Sequence, residues 1–141
     1  MLLEQEGAPM FGVDLSTRDC DGYVVVALRG ELDIAGAAGV AAALAAVAAR
    51  KPDIVVDLAG LEFIDSSGVA ALAHGRKHAR HAGGDLLLAA PQHQVLRVLT
   101  LTRLIDVFPV HPGVDEAASS ARGRRRPAAP IAGHPVRVAV T

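Results

Sequence analysis

An aspartate and two adjacent hydroxyls, Asp65-Ser66-Ser67-Gly68, stand between a run of aliphatic residues and a stretch with few helix breakers. Asp53-Ile54-Val55-Val56-Asp57-Leu58 before them reads as a buried strand, and Val69 to Ala82 after them as a helix. The hydroxyls therefore fall where a strand's exit loop becomes a helix. The first turn of a helix leaves backbone N–H groups unpaired and carries partial positive charge. A phosphate placed on a serine there finds donors ready. The chemistry on offer is a reversible charge switch. The same residue types also suit a plain helix cap, and on type and spacing alone both readings stay open.

Other constellations point to other chemistries. A serine between strand and helix suggests a hydrolase, but a nucleophile elbow needs glycine two residues to either side. Ser66 has Ile64 before it and Ser67 has Asp65. His74, His78 and His81 share a helix face by spacing, as metal ligands would. Arg76, Lys77 and Arg80 crowd the same helix without a carboxylate, which opposes a dication and favours a solvated basic face. Gly30-Glu31-Leu32-Asp33 ends a strand and starts a helix, with Asp33 placed to hold free N–H groups. No phosphate loop, dinucleotide fingerprint or cysteine cluster occurs, so no cofactor and no metal are expected.

Around these residues the elements alternate. Val13-Asp14-Leu15-Ser16 reads as a short strand, and Asp21-Gly22 as a hairpin turn leading to a buried strand over Tyr23–Leu28. These two should pair antiparallel. Ala35 to Ala49 reads as a helix, stopped by Pro52. Gly83-Gly84 caps the helix after the serines, and Asp85–Ala90 is a third buried strand. Val95, Leu96, Val98 and Leu99 mark another helix. Val107-Phe108-Pro109-Val110 reads as a short strand held at a sheet edge by its proline, and Val114–Ser120 as a final helix. Strands alternating with helices imply an α/β fold with parallel crossovers, made mixed by the opening hairpin.

The length suits one domain: a lead over 1–12, a domain over 13–120 and a basic tail over 121–141. The tail should be disordered, although Val136–Val140 alternates as a strand would. The formal net charge of −1 hides a division. Up to Ser120 the chain carries 9 basic and 15 acidic residues; beyond it come 5 arginines and no acid. A bare basic tail is usually solvated, so no direct nucleic-acid role is read into it. Cys20 stands alone and no apolar run reaches spanning length, so a cytoplasmic protein without membrane attachment is expected.

Gly30-Glu31-Leu32-Asp33, the Asp65-Ser66-Ser67-Gly68 turn after a strand, and the closing Leu104-Ile105-Asp106-Val107-Phe108-Pro109-Val110 together resemble a bacterial STAS domain, in its anti-sigma factor antagonist branch. The resemblance covers roughly residues 13 to 120. It implies a mixed sheet with helices packed mainly on one face. It also implies a protein that is not an enzyme and switches partners. Unphosphorylated, it would bind an anti-sigma factor that is also a serine kinase; phosphorylated on Ser66, it would be released, and a serine phosphatase would reset it. In the family the first serine after the aspartate is the acceptor, which is Ser66 here, with Ser67 shaping the turn. The partner surface so implied comprises Asp33, Asp65, Ser66, Ser67, Gly68 and Val69. A ligand- or scaffold-binding STAS module, transporter-associated or part of a stress complex, is the alternative.

Overall fold

Three aliphatic runs, Val24-Val25-Val26, Ile54-Val55-Val56 and Leu86-Leu87-Leu88, have no polar phase, so a sheet built from them must be covered on both faces. The computed structural model, which describes residues 3–5, 9–10 and 12–125, bears this out. Its elements are β1 (Leu3–Gln5), β2 (Pro9–Met10), β3 (Val13–Cys20), β4 (Tyr23–Leu32), α1 (Ile34–Arg50), β5 (Asp53–Ile64), α2 (Ser66–His81), β6 (Asp85–Ala89) and α3 (His93–Leu101). A 3-10 turn (Leu104–Asp106), β7 (Val110–His111) and α4 (Val114–Arg125) follow.

The sheet runs β1-β3-β4-β5-β6-β7, with β2 pairing on β3 as well. β3 and β4 pair antiparallel across the Asp21-Gly22 turn, as expected, and β4, β5, β6 and β7 are parallel. Successive strand residues point to opposite faces. Val24, Val26, Ile54, Val56, Leu86 and Leu88 accordingly share one core with Val40 and Leu44 of α1, Leu72 of α2 and Val95 and Leu99 of α3. Val25, Val55 and Leu87 meet Ala117 and Ala121 of α4 on the other face. Helices thus lie mainly on one face of a mixed sheet, and the class is α/β.

Several elements differ from the sequence-based expectation. β5 does not stop at Leu58 but continues to Ile64, because β4 runs alongside it to Leu32. Expected strand residues Val107–Val110 divide instead: Phe108 is buried in the core, and only Val110 and His111 pair with β6. The carbonyl of Pro109 still accepts the N–H of Leu88. The last helix passes Ser120 to reach Arg125, with Ala117, Ala118 and Ala121 buried along one side. Leu3–Gln5 and Pro9–Met10, in the lead, pair with the outer edge of β3. The alternating segment Val136–Val140 lies outside the described residues.

Candidate functional site

Leu32 and Ile64 are register partners at the ends of β4 and β5, and both are buried. Each is followed by an aspartate that starts a helix. Asp33 accepts the N–H of Ala35 at 3.0 Å on Oδ1, capping α1. Asp65 accepts the N–H of Gly68 at 3.0 Å on Oδ1, capping α2. The backbone N–H of Asp65 donates to the carbonyl of Leu32 at 3.2 Å, joining one loop to the other. Two helix N-termini therefore open side by side at one end of the sheet. Neither first turn carries an acidic residue, so the caps alone answer the positive ends of the two dipoles. An aspartate cap contributes about 1 kcal/mol to a helix start.

Two glycines set how closely these loops approach. A side-chain carbon on Gly68 would stand 2.7 Å from both Ile64 and Leu32 carbons and 2.8 Å from the Leu32 carbonyl oxygen. Only glycine lets the first turn of α2 sit this close to β4. Gly30 has φ of +91°, and a side chain there would run into the Gly12 carbonyl. That carbonyl instead accepts the N–H of Glu31 at 2.9 Å and fixes the end of β4. From the other side, Gln92 Nε2 donates to the Ala59 carbonyl at 2.7 Å and Gln94 Nε2 to that of Glu62 at 3.1 Å, bracing the last part of β5.

The six residues singled out in the sequence are brought together but do not share one role. Ser66 is the first residue of α2 and is exposed; Ser67 is half-buried. Asp33 and Asp65 are half-buried and occupied as caps. Gly68 and Val69 are buried, Val69 within the main core, beneath the turn. Of the two serines, Ser66 is the more exposed.

Two surface residues escaped the sequence reading. Ile34, the first residue of α1, is 77% exposed, and Phe63, two residues before Asp65, is 46% exposed. Both flank the paired helix starts. Leu101 and Val107 are exposed as well, but they lie away from the two helix starts. The available signal was an isoleucine directly after a capping aspartate, before the helix's buried stripe of Val40, Leu44 and Val47 begins.

The other candidates separate in space. His74 and His78 meet edge to face, Nε2 to Nε2 at 3.3 Å, whereas His81 lies on a different cavity between α2 and the 3-10 turn. Among the described residues no group of three or more His, Cys, Asp or Glu side chains is arranged to hold a metal ion. Among them, too, no helix is long and apolar enough to cross a membrane.

Against this geometry stand the comparisons with known proteins. The chain matches the STAS domain family over residues 14–117. It is 36% identical over 104 residues to the anti-sigma-F factor antagonist RsfA of Mycobacterium tuberculosis (strain CDC 1551 / Oshkosh), covering 71% of this chain and 80% of that protein. The crystal structure of an anti-sigma factor antagonist from Mycobacterium paratuberculosis superposes with a TM-score of 0.70 at 31% identity, over 82% of this chain and 98% of the other. The anti-sigma factor antagonist SpoIIAA in its unphosphorylated form shares the fold, with a TM-score of 0.67 at 23% identity over 77% and 96% of the two chains.

Proposed function

The chain belongs to the STAS domain family, and from that premise we propose that it is an anti-sigma factor antagonist switched by phosphorylation of Ser66. The observation that supports this is the position of Ser66: exposed, first in α2, beside the capping Asp65 and flanked by the exposed Ile34 and Phe63. The apolar pair gives a partner something to bury. The hydroxyl gives it something to change.

The partner in this proposal is an anti-sigma factor that is itself a serine kinase, met in the cytoplasm. Bound to the unphosphorylated antagonist, it lets go of its sigma factor. It then transfers phosphate to the Ser66 oxygen, with ATP and Mg²⁺ held on its own side, and a serine phosphatase later removes the group. The antagonist supplies a shaped surface and an acceptor and catalyses nothing. Phosphate on Ser66 adds about 1.5 to 2 negative charges at neutral pH. The N-terminus of α2 tolerates that charge within the fold. At a closed interface, next to Asp65 and Asp33, it must be desolvated without a partner cation, which costs several kcal/mol.

The test begins with affinity capture of the partner from the source organism. Titration calorimetry then compares wild type, Ser66→Ala and Ser66→Asp, with and without ATP. Ser66→Ala should bind and stay bound when ATP is added, while wild type is released. Phosphate mapped to Ser67 with Ser66 free would overturn the assignment.

A further inference from the structure

A second site lies at the other end of α2, independent of the switch. Between the last turns of α2 and the 3-10 turn is a cavity of about 360 Å³. That is the lower end of the range for small-molecule sites, roughly 300–1,000 Å³. Its inner surface is apolar, formed by Ala73, Leu104 and Phe108. Its rim is cationic, with Lys77 and Arg80 three residues apart on one helix face.

The cations differ in how far they are committed. Arg76 is fixed: its Nε donates to Asp85 Oδ1 at 2.8 Å, its Nη1 donates to the Val107 carbonyl, and its guanidinium lies over the Phe108 ring at 5.8 Å. It forms a wall of the cavity. Asp85 is nearly buried and spends one oxygen on Arg76. Its other oxygen reaches Arg80 only at 3.4 Å, and the Arg80 side chain is half exposed. Lys77 and His81 are exposed on the same rim. One sequestered carboxylate is thus shared by two arginines, and with Lys77 beside them the rim keeps a surplus of positive charge over a hydrocarbon floor.

We propose that this cavity binds a small amphipathic anion: a carboxylate or phosphate head set between Lys77 and Arg80, with an apolar body on Ala73, Leu104 and Phe108. A planar guanidinium pairs with either head through two parallel hydrogen bonds, and Lys77 adds a point charge. Lys77 is eleven residues along α2 from Ser66, about 16 Å at 1.5 Å per residue. The ligand would not touch the phosphorylation turn, so the site stands or falls apart from the proposed switch.

The probe is octanoate, titrated into the isotopically labelled full chain and followed by methyl NMR. Saturable shifts are expected at Ala73, Leu104 and Val107, with Ile34 unmoved. Octanol, which keeps the tail and loses the charge, should bind at least about tenfold more weakly. Lys77→Glu, a change at an exposed position that leaves folding alone, should weaken octanoate by a similar factor. Leu104→Trp should fill the cavity and abolish the shifts. Equal binding of octanol and octanoate, or an unchanged affinity in Lys77→Glu, would overturn the proposal. So would capture by phosphatidylglycerol vesicles with no response to octanoate, which would make the rim a membrane contact instead.

Discussion

At the start of α1 an aspartate caps the helix and a hydrocarbon follows it; at the start of α2 an aspartate caps the helix and a hydroxyl follows it. The two caps occupy equivalent steps after the register pair Leu32 and Ile64, and both make a 3.0 Å bond to a first-turn N–H. Backbone geometry at the two sites is the same in kind. What separates them is one exposed side chain each, Ile34 and Ser66. A helix N-terminus by itself is generic; the residue placed on it decides whether it is a fixed contact or one that a charge can cancel. Here an exposed apolar side chain and an exposed hydroxyl stand on neighbouring helix starts, so under the proposed switch binding strength and its control would be carried by different residues.

That division can be broken most severely at Ser66. Ser66→Asp should weaken binding to the anti-sigma partner some hundreds-fold, about 3 to 4 kcal/mol, with an unchanged circular dichroism spectrum. If both Ser66→Asp and the phosphorylated protein bind as tightly as wild type, Ser66 is not the switch. Gly68→Ala acts on the fold beneath. It forces a carbon against Leu32 and Ile64 and should cost about 1 to 3 kcal/mol in urea unfolding. Ile34→Ala should do the reverse: weaken binding roughly tenfold, about 1 to 2 kcal/mol of lost burial, without moving the unfolding midpoint. A shifted midpoint would show that Ile34 serves the fold rather than a partner.

The caps sharpen the comparison with the smallest effects. Asp33→Ala and Asp65→Ala should each lower stability by about 1 kcal/mol, measurable in the same unfolding series. Near-equal losses would support the equivalence of the two helix starts. A much larger loss for Asp65 would mean that its N–H bond to the Leu32 carbonyl depends on the cap as well.

The buried strands were legible because three unbroken aliphatic runs cannot be half-exposed, and the helix start at Ser66 was legible because Asp65 and Gly68 frame it. The exposure of Phe63 was not. Its facing depends on how β5 is counted against β4, and the pairing slips twice, between Ala27 and Arg29 and between Gly30 and Glu31. Each slip places an extra residue on β5 and reverses which residues face the core. Gly60, a glycine inside the strand, is the one local sign of such a slip, and it does not tell how many occur or where the second falls. Likewise Val69 follows the serines in sequence, yet helical geometry turns it into the core three residues after Ser66. The helix α4 was partly legible; Ala117 and Ala121 share one helix face by spacing, but nothing in that spacing says that they pack on Val25, Val55 and Leu87 from the far side of the sheet.

The bond from the Asp65 N–H to the Leu32 carbonyl also constrains what length changes the chain can accept. One residue separates Leu32 from Ile34, and one separates Ile64 from Ser66. Each residue of an α-helix turns the chain by about 100°. A single insertion in either connection would rotate the first helical side chain away from its neighbour or tear the cap from its N–H. The two connections should therefore tolerate exchanged residues far better than added or deleted ones.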